Sequence, residues 1–202
     1  MKAEQREHII ALALKMFISD GVKAVTMSNI AKTAGVSKRT LYEEFEHKEE
    51  LLFLAAESYF NMRNESLSQI VLRSANVLVG TMAIVEDIVG DSEINWRLHR
   101  GLKASYPMVE SRFRDREEEG VQRFVKQLSQ GVSQGLISPR ANLELSIVML
   151  HHMAASLVHQ DDMKLPKGVT TQDAFRELFI NFLRGIATAR GVEIIDDYIL
   201  NR

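Results

Sequence analysis

The stretch TMSNIAKTAGVSKRTLYEEFEHK, from Thr26 to Lys48, constrains the fold of this chain more than any other. Its apolar residues recur at helical spacing in two short blocks, which are separated by Gly35. The spacing predicts one helix from about Thr26 to Ala34 and another from Lys38 to Phe45. Glycine tolerates the positive φ of a tight turn, so Gly35 is suited to reverse the chain between them. Two short helices joined in this way form a helix-turn-helix.

The second of these helices has one apolar and one polar side. Leu41 and Phe45 stand four residues apart and predict its buried side. Ser37 precedes the helix and is a suitable N-cap. Arg39 lies on the polar side, and arginine can bind guanine O6 and N7 with two hydrogen bonds in the major groove. Arg39 is therefore the best candidate for reading a base.

Further residues of the motif are suited to contact DNA. Thr26 and Ser37 open helices, where backbone N–H groups can donate to phosphate. Lys48 can approach phosphate as a cation, and Tyr42 can donate its hydroxyl while its ring covers the core. Lys38 and Thr40 are supporting polar contacts. The complete predicted DNA-binding set is Thr26, Ser37, Lys38, Arg39, Thr40, Tyr42 and Lys48.

The charge of the segment does not itself indicate nucleic acid. The chain of 202 residues has a net charge of −2, and its first fifty residues contain eight basic and eight acidic side chains. Electrostatic attraction for DNA is therefore weak, apart from a local cluster formed by Lys32, Lys38, Arg39 and Lys48. The prediction of DNA binding depends on helix geometry and on Arg39.

The order of residues resembles the TetR family of bacterial transcriptional regulators over about the first fifty-five residues. The resemblance rests on many features in fixed order: Gly21, Thr26, Ile30-Ala31, Ala34-Gly35-Val36-Ser37, Thr40-Leu41-Tyr42, Phe45, Lys48-Glu49 and Leu51. It implies that Ser37, Lys38, Arg39, Thr40, Tyr42 and Lys48 occupy positions that commonly touch DNA. It also implies a divergent C-terminal half that binds a ligand and dimerises.

The sequence departs from the family pattern at Glu43 and Glu44, where many relatives have an aromatic residue or histidine. A carboxylate near phosphate is repelled, so neither belongs to the predicted DNA-binding set. Two roles remain open for Glu43. It can accept a hydrogen bond from cytosine N4, or it can pair with Arg39 one turn back and hold that arginine in place.

Helical spacing continues through the rest of the chain, so the predicted fold class is all-α. The predicted domains are a helix-turn-helix domain at 1–47 and a helical ligand-binding and dimerisation domain at 48–202. A first helix at about 2–20 precedes the motif, and a final short helix or docked extension is expected at 191–202. The other predicted helices cover about 48–68, 69–89, 94–105, 108–134, 141–160 and 172–190.

Two of these helices, at about 141–160 and 172–190, are too apolar for either to expose a wide side to water. One face of each is expected to pack on the bundle, and a two-fold copy is the commonest partner for the other. We therefore expect a homodimer. The helix at 48–68 has no Gly or Pro to separate it from the motif, so a shift at its far end would move its near end.

Methionine and aromatic side chains of the larger domain are candidates for a deformable pocket that suits an apolar ligand. Each is also an ordinary core residue by type. The predicted lining, which includes one histidine, is Phe60, Met62, Trp96, Tyr106, Phe113, Phe124, Met149, His152 and Met153.

Other classes of function lack a signal in the sequence. No phosphate-binding glycine loop, nucleophile elbow or HExxH motif is present, so no catalytic residue is assigned. His151 and His152 are adjacent, point about 100° apart on a helix, and are poorly placed to share a metal ion. There is no cysteine and no long apolar segment. We expect a cytoplasmic protein without a cofactor, and not an enzyme.

The sequence therefore predicts a ligand-responsive repressor that binds a palindromic operator as a dimer and is released by a small apolar molecule. Two alternatives stay open. One is a DNA-binding dimer without small-molecule input, and the other is a helical carrier or enzyme whose N-terminal unit is vestigial.

Overall fold

The structure of the protein is a computed structural model that describes residues 2–159 and 164–201. Within those residues the chain is all-α, as predicted, and it forms eleven helices. They are α1 (Ala3–Asp20), α2 (Met27–Ala34), α3 (Lys38–Glu44), α4 (Lys48–Arg73), α5 (Val77–Gly90), α6 (Ser92–Ser105), α7 (Pro107–Ser111), α8 (Arg114–Ser133), α9 (Leu143–His159), α10 (Thr171–Ile186) and α11 (Ala189–Leu200).

The chain divides into two compact units. Unit 1 comprises Met1–Glu65 and Glu93–Phe113, and unit 2 comprises Ser66–Ser92 and Arg114–Arg202. Helix α4 contributes residues to both units. The compact units divide the chain at positions other than residue 47, and the functional division of the chain at 47 and 48 stays a prediction.

Unit 1 has a continuous apolar core. The predicted buried residues Leu41 and Phe45 belong to it, together with apolar side chains of the preceding segment: Ile10, Phe17, Val25 and Ile30. Helix α6 packs closely against the turn after α1, because a Cβ on Gly101 would lie 2.7 Å from Val22 Cγ2. A larger residue at 101 would push α6 away from that turn.

Unit 2 has its own core, in which α5 packs against α8, α10 and α11, and α9 packs against α8 and α10. The guanidinium of Arg176 donates from Nε and Nη2 to the Glu86 carboxylate, at 3.1 and 3.3 Å. This bidentate pair joins α10 to α5. The N–H of Ser138 donates to the Ile186 carbonyl at 2.8 Å and that of Thr188 to the Leu136 carbonyl at 2.9 Å, so the turn before α9 lies beside the start of α11.

Three predicted helices differ from the structure. The predicted helix at 69–89 is wrong, because α4 continues to Arg73 and α5 begins after Asn76. The Asn76 side chain caps α5 by accepting from the Leu78 and Val79 N–H groups, both at 3.0 Å. A helix at 108–134 is also wrong, since α7 ends at Ser111 and α8 begins two residues after Arg112.

The third difference is at 172–190, where α10 ends at Ile186 and α11 begins after its N-cap, Thr188. Helix α11 confirms the expected final helix in the tail. The predicted helix at 141–160 corresponds to α9, although Gln160 lies outside the described residues. No helix in the described parts of the chain has both the length and the apolar character to cross a membrane.

Candidate DNA-binding site

Two caps and one glycine set the geometry of the helix-turn-helix. Thr26 caps α2: its hydroxyl accepts from the Asn29 N–H at 3.2 Å, and the Asn29 side chain accepts from the Thr26 N–H at 3.1 Å. Gly35 ends α2 in the left-handed conformation, with φ of 67°. The Val36 N–H then donates to the Ala31 carbonyl at 3.0 Å, which closes the turn.

Helix α3 begins at the predicted cap, since the Ser37 hydroxyl accepts from the Thr40 N–H at 3.0 Å. Leu41 and Phe45 are completely buried in unit 1. Because these two residues fix which side of α3 packs on the core, Lys38, Arg39 and Tyr42 are left exposed to solvent. Thr40 is half-buried beside them. These side chains are accessible from solvent on α3, and their contact with DNA stays a prediction.

The Arg39 side chain is 87% exposed. Its guanidinium is nevertheless held, because Nε donates to Glu43 Oε1 at 2.7 Å. Glu43 lies four residues after Arg39, which places the two side chains one above the other on the helix surface. Of the two roles left open for Glu43, the structure contains the ion pair with Arg39.

Glu44 has a different environment from Glu43. Its Oε1 lies 3.0 Å from Nε of Arg6 on α1, and its side chain is only 22% exposed. The Arg6 guanidinium also lies over the Phe45 ring, 5.3 Å from the centroid. The Glu44 charge is therefore compensated within unit 1. No short sequence pattern indicates this pair, because its members are 38 positions apart.

Lys48 begins α4 and faces the core of unit 1 as well as solvent. Its ammonium lies 5.1 Å from the Tyr106 ring and 5.9 Å from the Phe17 ring, at distances of cation–π contact. It also donates to the Lys23 carbonyl at 3.5 Å. A phosphate contact by Lys48, which stays a prediction, would use its remaining donor capacity.

Three of the predicted pocket residues, Phe60, Tyr106 and Phe113, belong to the apolar core of unit 1 or pack against it. The Phe60 ring meets the Phe113 ring edge-on at 5.0 Å and lies 4.9 Å from the His99 ring. Trp96 and Phe113 are buried, and Tyr106 is half-buried. Met62 differs, since it is 60% exposed on α4. Phe53 stacks on Phe113 at 5.1 Å and was not part of the predicted set.

The other predicted pocket residues belong to unit 2. Phe124 is half-buried, with its ring 6.4 Å from that of Phe182. Met149, His152 and Met153 lie exposed on α9. A groove of about 420 Å³ beside α11 contains none of the predicted residues, and it is lined by Val79, Ile194, Asp197, Tyr198 and Asn201. The described residues contain no cluster of three His, Asp or Glu that could hold a metal ion.

His151 and His152 place their rings 5.9 Å apart on α9. Burial lowers the pKa of His151, and the nearby His152 lowers it further. His151 is therefore neutral at physiological pH, when it contributes to packing rather than charge.

Residues 9–55 match the model of the family described as bacterial regulatory proteins, tetR family. This segment is a TetR-family helix-turn-helix. The match covers the last part of α1, the whole of α2 and α3, and the first residues of α4. The resemblance inferred from the order of residues is thereby confirmed.

Curated relatives of the TetR segment are regulators by name. The chain is 36% identical over 67 residues to the uncharacterized HTH-type transcriptional regulator YerO of Bacillus subtilis, which covers 33% of this chain and 23% of that protein. It is 38% identical over 50 residues to the HTH-type transcriptional repressor KstR2 of Mycolicibacterium smegmatis, and this alignment covers 25% of this chain and 24% of that protein. These alignments span about a quarter of the relatives' length.

The TetR fold extends over nearly the whole chain. The solved structure of the ketosteroid transcriptional regulator KstR2 of Mycobacterium tuberculosis superposes with a TM-score of 0.63 and 22% identity. The superposition covers 93% of this chain and 97% of that one. At this identity the likeness shows a common fold and leaves function to be argued from the residues.

Proposed function

We propose that the protein is a TetR-type transcriptional repressor that binds a palindromic operator as a homodimer and is released by a small apolar ligand. One observation carries the proposal: α3 is held by a Ser37 cap and by buried Leu41 and Phe45, and it presents Arg39 to solvent within a TetR-family segment. A short exposed helix held in this way is suited to enter the major groove.

In the proposed complex, α3 lies in the major groove with its first turn toward the bases. The terminal amino groups of Arg39 donate to guanine O6 and N7, and Lys38 and Thr40 add polar contacts. Tyr42, whose ring is half exposed, donates its hydroxyl to phosphate. Thr26 and Ser37 use their hydroxyl oxygens within the caps, and the Thr26 N–H donates to Asn29. The proposed phosphate contacts at these positions are therefore made by backbone N–H groups in the first turns of α2 and α3.

The proposed dimer uses α9 and α10. Helix α9 exposes an apolar stripe at positions spaced by three and four residues: Leu145, Val148, Met149 and Met153. Helix α10 adds the half-buried Leu178, Phe179 and Phe182. A stripe of this kind is stabilised when it is covered, and a second copy of the chain is the simplest cover. Two-fold symmetry would then place two copies of α3 about one turn of DNA, roughly 34 Å, apart.

The proposed ligand is apolar, because the predicted lining residues in and against the core of unit 1 are the aromatic side chains Phe60, Tyr106 and Phe113. The structurally similar KstR2 of Mycobacterium tuberculosis is named as a ketosteroid regulator, and ketosteroids are apolar compounds. We propose a ligand of similar apolar character for this protein. Helix α4 contributes residues to both units. A ligand that shifts α4 would therefore alter the spacing of the two α3 helices in the proposed dimer. The ligand must prefer one spacing to shift the population.

A mobility-shift titration tests DNA binding directly. The full chain is titrated against DNA from upstream of its own gene, with an excess of unrelated DNA as competitor. We expect a discrete shifted band that survives the competitor and is lost in Arg39→Ala. The absence of a specific shift at low salt would contradict the proposal. Transcript levels from the adjacent gene should rise when the protein is deleted, and a fall would indicate activation instead.

A further inference from the structure

We infer that Glu43 is a positioning residue that fixes the base specificity of Arg39. The inference rests on the proposed function, since it assigns a role within the same DNA-reading helix. The geometry of the Arg39–Glu43 pair carries it.

The pair occupies only one part of the guanidinium. Glu43 Oε1 accepts a hydrogen bond from Arg39 Nε at 2.7 Å. Nε is the guanidinium nitrogen that is bonded to the aliphatic part of the side chain. The two terminal amino groups point away from the stem and are the ones that reach guanine O6 and N7. Glu43 therefore restrains the side chain without taking the donors that read a base.

Restraint matters because arginine is long and flexible. A free arginine loses rotamer freedom when it binds a base, whereas one already held in a single orientation loses less. In water the pair is weak, since its two side chains are 87% and 60% exposed. Inside a major groove, water is partly displaced and the same ion pair is stronger.

The negative charge of Glu43 adds a second effect. A carboxylate on the reading helix is repelled by phosphates, so it weakens binding to every DNA sequence. This cost is the same for a correct and a wrong base, so it lowers the affinity for all DNA without changing base preference. The preference itself comes from the restraint of Arg39, which strengthens only the complex in which Arg39 binds guanine.

Neighbouring glutamates provide a contrast and a control. The Glu44 charge is directed to Arg6 on α1, so it takes no part in the reading surface. Glu46 is 85% exposed, and its Oε2 lies 3.8 Å from Nδ1 of His47. Glu46→Gln removes one carboxylate close to α3 and leaves the Arg39–Glu43 pair intact, so it is the matched control for charge alone.

The test is a double-mutant cycle on base preference. Full-length wild type, Glu43→Gln, Arg39→Ala and the double variant are compared with Glu46→Gln. Each is titrated against the site that wild type selects from random DNA, and against its single-base variants. Glutamine matches the shape of glutamate, and circular dichroism before each titration identifies any variant that has failed to fold.

We expect Glu43→Gln to reduce the preference for the guanine read by Arg39 by about tenfold, which lies within the range of one bidentate contact. Its affinity for unrelated DNA should rise at the same time. In the Arg39→Ala background, Glu43→Gln should leave base preference unchanged. Glu46→Gln should raise affinity for all sequences and keep the preference of wild type.

Three results would overturn the inference. One is an unchanged guanine preference in Glu43→Gln. Another is a loss of preference in Glu43→Gln that persists with Arg39→Ala, because Glu43 would then read a base itself, as by accepting from cytosine N4. If wild type selects no site at all, the proposed function fails together with the inference, whereas the first two results leave DNA binding intact.

Discussion

Arg6 links the start of α1 to the end of α3 through two contacts, an ion pair with Glu44 and a cation–π contact with Phe45. Both contacts are partly shielded from water, so Arg6→Ala should lower the free energy of unfolding by about 1 kcal/mol. Urea denaturation measures this. Arg39→Ala removes the same charge from an 87% exposed site and should cost less than about 0.5 kcal/mol.

If Arg6→Ala and Arg39→Ala lower the free energy of unfolding equally, the Arg6 contacts add no stability beyond that of a surface charge. The Arg6–Glu44 pair also makes Glu44 compatible with the proposed role of α3 in reading DNA. Its carboxylate is compensated inside the protein, whereas Glu43 keeps its partner on the exposed side.

His151 gives the unfolding free energy a dependence on pH. Burial and His152 lower its pKa below the ordinary 6.5, so the unfolded chain binds more protons than the folded chain around that pH. Its contribution to stability is therefore complete above pH 6.5 and is lost as pH falls toward its folded pKa. Urea denaturation at pH 7.5 and 5.5 should show a smaller decline in His151→Gln than in wild type. An identical decline would assign the effect to other groups.

At the scale of elements, the N-cap of α5 is the feature with the clearest energetic consequence. Asn76 satisfies two backbone donors that would otherwise be orphaned at the start of the helix. Asn76→Ala should lower the free energy of unfolding by about 1 kcal/mol. Asn76→Asp keeps the acceptor oxygen and should cost much less. If the alanine and aspartate variants unfold alike, the cap is not the cause.

Some helix ends are marked by local sequence signals, and others are not. The ends of α2 and α3 were predicted to within a residue, because Thr26, Gly35 and Ser37 are local signals with one structural meaning each. The break before α5 was missed, since apolar residues lie on both sides and only Asn76 marks it. The break between α10 and α11 is likewise marked only by the cap at Thr188.

The exposed side of α3 was predictable for a similar reason: Leu41 and Phe45 alone determine which side is buried. The contacts of Arg6 with Glu44, and of Lys48 with Tyr106, were not predictable. Each joins residues far apart in the sequence, so no periodicity or spacing reports them.

At the scale of the whole molecule, the proposed dimer depends on the apolar stripe of α9. Met149 is 58% exposed at the middle of that stripe. Met149→Glu places a charge where a second copy would bury it, so the dimer should dissociate to a species of 22.9 kDa, the mass of one chain. Light scattering after size exclusion measures the mass.

The control for the dimer prediction is Met108→Glu, because Met108 is 80% exposed on α7, in the other unit. It should keep the mass of wild type. A wild-type mass of 22.9 kDa, or dissociation by both variants, would contradict the assignment of α9 to the interface.

The all-α class was predictable at this scale because helical spacing persists along the chain. The division of the chain into units was not predictable, since residues 93–113 belong to unit 1 although nearly thirty residues separate them from its first segment. Only tertiary packing, such as that of Gly101 against Val22, brings that segment to the helix-turn-helix.

Selection from random DNA tests whether α3 reads DNA as part of a symmetric dimer. The full chain is mixed with a randomised duplex pool, bound DNA is recovered over several rounds, and the enriched sequences are aligned. We predict a two-fold symmetric site whose half-sites are centred about one helical turn apart, and no enrichment by Arg39→Ala. Wild type that enriches no sequence, or an Arg39→Ala variant that enriches the same site equally well, would contradict it.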